Sequence, residues 1–178
     1  TKKNKPNSKD WTLIMSEGFE GAFPNGLWDV ENYSNIQAYW DDLHCNSYSG
    51  NRAANCAAGG VMGIDCGDNY YHEMETWMVY GPFSLKDATD AYFSFKWWMN
   101  VEPGYDFLFV LASPDGINFD GEAMSNNYEQ WSNYNFDLTD AGSYGNLCGD
   151  PSVWLGFVFQ SDIAVSLQEG VYIDEVEL

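Results

Sequence analysis

The sequence predicts an all-β protein, an antiparallel two-sheet β-sandwich of the jelly-roll type, preceded by a short extended N-terminal tail. Three observations carry this expectation. Apolar and polar residues alternate in short runs, which is the period of a half-buried strand. The chain holds 8 Trp, 12 Tyr and 11 Phe, residue types that fit pleated surfaces and supply large buried areas. Nothing has the spacing of a long amphipathic helix; only 85–91 and 137–141 read as single helical turns.

At 178 residues the chain is of single-domain size and long enough to bury a substantial core. Residues 1–10 are polar and lack periodicity, the signature of a tail, which leaves 11–178 as the domain. The first strand is expected over Trp11 to Ser16, and a second over Gly26 to Tyr33 after the turn Phe23-Pro24-Asn25-Gly26. Glu73 to Leu85 holds one or two strands, with Pro82 near an end where a missing donor is tolerated. The cleanest alternation runs over Ala91 to Asn100, with Phe93, Phe95, Trp97 and Met99 on one side. Asp106 to Ala112 is apolar on both sides and reads as a central strand covered on each face. Ser113-Pro114-Asp115-Gly116 then makes a turn, with Pro to preset φ and Gly to accept positive φ. Tyr128 to Leu138, Ser152 to Ser161 and Gly170 to Leu178 complete the strands that can be placed.

Charge is distributed unevenly. Lys2, Lys3, Lys5 and Lys9 against Asp10 give the first ten residues a net +3, while the whole chain carries −20. The body is therefore a strong polyanion, whose field repels nucleic acid and anionic lipid and attracts cations and basic segments. No stretch approaches the roughly 20 apolar residues of a membrane span, and with no leader visible at Thr1 the chain reads as a mature product. The 4 cysteines, Cys45, Cys56, Cys66 and Cys148, lack zinc-type spacing and read as two disulfides of an exported protein. Of the connectivities open to them, Cys45–Cys56 with Cys66–Cys148 is favoured, because the first pair flanks a segment able to fold back as a hairpin.

In the last strand, alternation sets Asp174 on the side of Tyr172, Val176 and Leu178, so that an acid points toward a core. A buried carboxylate normally finds a cation or several donors. The start of the chain adds Glu17 and Glu20. A first and a last strand sharing an acidic corner suggest one bound Ca²⁺, which prefers hard oxygen ligands; the alternative is a solvated strand end. Catalysis finds no support, since only 2 histidines are present and the cysteines are better used in disulfides. In so acidic a chain some carboxylate pair will always lie at a glycosidase's separation. The run 115–121, Asp-Gly-Ile-Asn-Phe-Asp-Gly, lacks the ligand rhythm of a calcium loop and reads as a hairpin turn. Tyr92, Trp98 and Trp40 are candidates for stacking on sugar faces, because alternation turns Trp98 and Tyr92 away from the apolar stripe.

The order of several short motifs resembles the jelly-roll modules of the MAM, cleaved-adhesin and choice-of-anchor J type found in secreted bacterial proteins. These motifs include Phe19-Glu20-Gly21 with Trp28, Tyr48-Ser49-Gly50, Trp77 with Gly81-Pro82-Phe83, Phe93-Ser94-Phe95, Trp131 with Phe136-Asp137-Leu138, and Tyr172-Ile173-Asp174-Glu175-Val176. The resemblance implies a structural Ca²⁺ held by Glu20 and Asp174, with further contributions from the backbone around Ser49 to Asn51 and from Asp41 or Asp42. It also implies a non-catalytic role in adhesion, glycan binding or assembly outside a cell. The expectation is thus an extracellular, calcium-stabilised adhesive or structural module whose partner is a surface glycan, a protein or a second copy. The alternatives are a carbohydrate-binding module or an accessory domain of a secreted hydrolase. The lysines of the tail are expected to add to a sheet edge of a neighbouring copy and build a filament.

Overall fold

The structure is a computed structural model that describes residues 11–178. The tail, with Lys2, Lys3, Lys5 and Lys9 and the assembly expected of them, lies outside the described residues. Strands follow in the order β1 (Ser16–Glu17), β2 (Trp28–Asn32), β3 (Tyr39–Leu43), β4 (Ala53–Gly59), β5 (Glu75–Phe83), β6 (Tyr92–Asn100), β7 (Phe107–Ser113), β8 (Asp120–Met124), β9 (Ser132–Asp137), β10 (Val153–Gln160) and β11 (Gly170–Glu177), with a 3₁₀ turn at Gly142–Tyr144. They form two antiparallel sheets, β3-β4-β11-β6-β9 with β1 also on β11, and β2-β5-β10-β7-β8. Among the described residues no helix is long and apolar enough to cross a membrane.

The core lies between the sheets. Phe93, Phe95 and Met99 of β6 and Val171 and Ile173 of β11 face Met78 of β5, Val110 of β7 and Leu155, Phe157 and Phe159 of β10, all fully buried. Phe157 sits edge-on to Phe95 at 4.8 Å and to Phe93 at 5.7 Å, the arrangement ring quadrupoles favour.

The first strand does lie beside the last. β4 pairs with β11 at Tyr172 and Ile173, and β1 takes over the same edge at Val176 and Glu177. At the handover the β6–β11 register slips between Asp174 and Glu177, and Glu175 adopts φ 46. This bulge corrects the alternation expected of the last strand. Tyr172 and Asp174 face outward from the sandwich, whereas Val176 and Leu178 return to the main core, because the extra residue resets which side each following side chain takes.

The expected disulfides are also corrected. The hairpin between Cys45 and Cys56 exists as β3–β4, but Cys56 lies within β4 with its thiol in the core, where burial pushes its pKa up to about 12. Cys45 instead bonds Cys66, 21 residues on, with Cα atoms 5.3 Å apart. Cys66 cannot meet Cys148. Its loop is tied to the start of β11 through Gly67 N–H to Glu169 Oε1 at 2.9 Å, whereas Leu147 and Gly149, on either side of Cys148, donate to Leu138 and Leu85. Cys148 is a half-buried thiol.

Candidate functional site

The outward-facing Asp174 is fully buried beneath the 44–52 loop. Its Oδ2 accepts the backbone N–H groups of Tyr48 at 2.8 Å and Ser49 at 3.0 Å, and its Oδ1 accepts that of Glu175 at 2.8 Å. Loss of water raises its pKa, and those three donors offset part of the rise. Glu20 grips the other half of the loop, its Oε1 accepting Asn51 N–H at 2.7 Å and Arg52 N–H at 2.9 Å. The Arg52 and Asn51 amides hold the Glu20 carboxyl below its ordinary range. Between the two grips stands Gly50 at φ 63, where a Cβ would fall 2.2 Å from Glu20 Oε1.

Glu20, Asp174, Ser49 and Asn51 are thus brought to one corner. Asp42 is spent on an ion pair with Arg52, and Asp41 accepts the Asp42 N–H at 2.8 Å. The donor chemistry suits a hard cation: Asp174 Oδ1 serves only its own neighbour's amide, and Glu20 Oε2 has only a long 3.4 Å contact with Asn51 Nδ2. Among the described residues the one grouping of three metal-ligating side-chain atoms within 4.8 Å is elsewhere, at His44, Cys45 and Cys66. Both sulfurs there are committed to the disulfide, with His44 Nε2 3.9 Å from Cys66 Sγ.

The second candidate lies on the outer face of the β2-β5-β10-β7-β8 sheet. Its central cross-strand row runs Glu31, Trp77, Val158, Phe109, and the next row on the same face holds Glu75, Gln160 and Phe107. Two adjoining depressions, of approximately 700 and 450 Å³, share Tyr33 and Glu75. The rings are arranged about Trp77, with Tyr33 edge-on at 6.1 Å and Phe119 at 5.6 Å. Phe119 lies over Gly156, where an added Cβ would stand 3.5 Å from the ring, an ordinary packing contact. Trp154 closes one end against Gly81 and Gly116, where Cβ atoms would approach it to 2.7 and 2.8 Å.

Acids border the rings. Trp77 Nε1 donates to Glu75 Oε1 at 3.1 Å, and the Tyr33 hydroxyl donates to Glu31, a bond that raises the Tyr33 pKa. At the opposite end a buried latch fixes the groove wall. Tyr70 donates to Asp106, whose other oxygen accepts Asp162 N–H at 2.8 Å, and burial drives the Tyr70 phenol well above its ordinary range. Aromatic faces flanked by fixed carboxylates and an amide are the elements of a polar, ring-stacking site.

The three aromatics expected to bind sugar do not form a site. Trp40 is fully buried and donates its indole N–H to Thr76 O at 3.2 Å, so it belongs to the core. Trp98 faces outward but is covered, packing on Tyr172 at 5.7 Å in a small second cluster. Tyr92 is exposed at the far end of that sheet, against Trp11 at 5.0 Å. The groove aromatics were missed because Phe107 and Phe109 read as covered on both faces. The signal was present in Glu75-Thr76-Trp77-Met78-Val79, where buried Thr76 and Met78 alternate with the polar and aromatic residues of an open face.

No protein-family model matches the chain. Bacillopeptidase F of Bacillus subtilis is 30% identical over 128 residues, 70% of this chain, which spans only 8% of that protein's length. Among solved structures, the K2 cleaved adhesin domain of Lys-gingipain aligns with a TM-score of 0.61 at 13% identity, covering 92% of this chain and 97% of that domain. The K1 domain of Lys-gingipain from Porphyromonas gingivalis gives 0.60 at 15% identity, over 94% and 97%. A family 11 carbohydrate-binding module from Clostridium thermocellum, in complex with a β-1,3-1,4-mixed-linked tetrasaccharide, gives 0.56 at 12% identity over 93% of each chain. The chain therefore has the jelly-roll fold shared by cleaved adhesin domains and carbohydrate-binding modules, the class its motif order resembles.

Proposed function

We propose that this protein is an extracellular, non-catalytic adhesive module that binds carbohydrate in the groove on the β2-β5-β10-β7-β8 sheet. The observation that carries this reading is the half-exposed Trp77, ringed by Tyr33 and Phe119 and bordered by Glu31, Glu75 and Gln160. An indole face takes the apolar side of a pyranose while acids and an amide take its hydroxyls. The fold likeness to a module solved with a tetrasaccharide supports it. Calorimetric titration with soluble glycans tests it: saturable binding weakened at least tenfold by Trp77→Ala is expected, and a panel of glycans that the intact protein ignores overturns it.

The short match within Bacillopeptidase F favours a second, compatible reading, in which the module accompanies a secreted hydrolase. Ca²⁺ at Glu20 and Asp174 is part of the proposal, supported by the spare lone pairs of both carboxylates. An ion that binds only the folded state raises Tm with its concentration. A Tm indifferent to both calcium and chelator removes the metal from the proposal and leaves the groove untouched.

A further inference from the structure

The groove is acidic as well as aromatic. Asp29, Glu31, Glu73, Glu75 and Asp162 line the two depressions, and none of the described lysines or arginines does. The described bases are engaged or placed elsewhere: Arg52 pairs with Asp42, Lys96 stands 4.7 Å over the Tyr48 ring on the other sheet, and Lys86 follows Leu85 beyond the end of β5. Among the described residues, the carboxylates flanking Trp77 are held in place by neutral donors, the Tyr33 hydroxyl and the Trp77 indole N–H. Glu31 lies directly across the strand pair from Trp77, and Glu75 lies two residues before it on the same face. A cation at the rim of the Trp77 ring would meet a π face and two carboxylates together, without displacing any of the described lysines or arginines.

Resting on the glycan reading above, we propose that the groove takes a glycan carrying free amino groups, a deacetylated amino-sugar polymer of the glucosamine type. Such a ring offers Trp77 an apolar C–H face and presents an ammonium at its edge. Neutral sugars would use the stacking surface and leave the charge unanswered, while uronate or sulfated chains would be repelled. A lysine side chain supplies the ammonium but no rigid apolar ring, so a basic peptide would satisfy the acids and not the aromatics.

The decisive comparison is calorimetric titration of the intact chain, in mildly acidic buffer where the free amines are protonated, with a glucosamine hexasaccharide and with its fully N-acetylated form, which then differ in charge at the nitrogen. The deacetylated chain is expected to bind about tenfold more tightly, with an affinity that falls as salt is raised. Glu31→Gln combined with Glu75→Gln should bring the two forms to equal affinity, thermal melting showing that the variant is folded, whereas Trp77→Ala should weaken both. Equal affinity in the unaltered protein overturns the charge assignment while the glycan reading stands. Binding of neither form, nor of a neutral mixed-linked glucan, overturns both readings. A hexalysine peptide that binds as tightly as the amino sugar shows a site for basic protein segments and overturns the proposal.

Discussion

The two sheets of this sandwich carry comparable aromatic rings on their outer faces and treat them in opposite ways. On the β3-β4-β11-β6-β9 sheet, Trp98 and Tyr172 are roofed by Trp131 and the 44–52 loop, which the Cys45–Cys66 disulfide and two carboxylates fasten down. Trp131 is itself fixed through its indole N–H to Asn46 Oδ1 at 2.9 Å. On the other sheet no such roof stands over Trp77, Phe107 and Phe109 among the described residues, and they line a groove. Ring content alone therefore marks no binding face. What distinguishes the two is where the backbone between strands is tied.

The largest effect expected on this contrast comes from Asp174→Ala. It strips the acceptor from the Tyr48, Ser49 and Glu175 amides, and at about 1 kcal/mol or more for each abandoned donor the loss is roughly 3 kcal/mol. Denaturant unfolding measures it, while groove affinity per folded molecule should be unchanged; a loss under ~1 kcal/mol means the loop is held by other contacts. Replacing Cys45 and Cys66 together by Ala should cost ~2–3 kcal/mol through the loop they close. Peptide mapping without reductant should recover these two cysteines in one linked fragment, with Cys56 alkylated only after denaturation, as its buried thiol with a pKa of about 12 requires.

On the open face, Trp77→Ala should lower glycan affinity at least tenfold, ~1.4 kcal/mol, and reduce stability less than Asp174→Ala does. A reversed ranking would make Trp77 a packing residue. The smallest effect separates the two acids of the loop by pH. Glu20 has a depressed pKa, so its contribution to stability is present above the ordinary 4.5 and lost as pH falls through the folded value. Asp174 has a raised pKa and acts with the opposite sign: its ionisation disfavours the fold, so its contribution declines as pH rises from 3.8 through the folded value. Tm measured from pH 3 to 6 should lose part of its acid-side fall in Glu20→Gln and part of the opposing trend in Asp174→Asn. Superimposable profiles would mean that the carboxylates are not gripped as described.

The sandwich was legible because β6, β10 and the start of β11 alternate cleanly, and alternation reports burial wherever one face is dry. β4 escaped notice because Ala53-Ala54-Asn55-Cys56-Ala57-Ala58-Gly59 is small and buried on both sides, and β8 because Asp120-Gly121-Glu122-Ala123-Met124 has little apolar area. The acidic corner was found from Asp174 and Glu20, yet for a reason only half right. Alternation pointed Asp174 at the main core, and the bulge at Glu175, whose positive φ leaves no trace in residue type, turned it to the outer face. The groove was hidden because β7 is apolar on both sides, and period alone cannot tell a roofed face from an open one.

The grip of Asp174 and Glu20 on the 44–52 loop has a consequence for how that loop can vary. Both acids hold main-chain amides, which every residue except proline supplies. At 49 and 51 the grip therefore asks chiefly for a main-chain N–H, with Asn51 Nδ2 adding only a long contact to Glu20, while position 50 must stay glycine. The loop is a natural place to display foreign sequence, diversified on its rim and held by its spine, on the face of the sandwich opposite the groove.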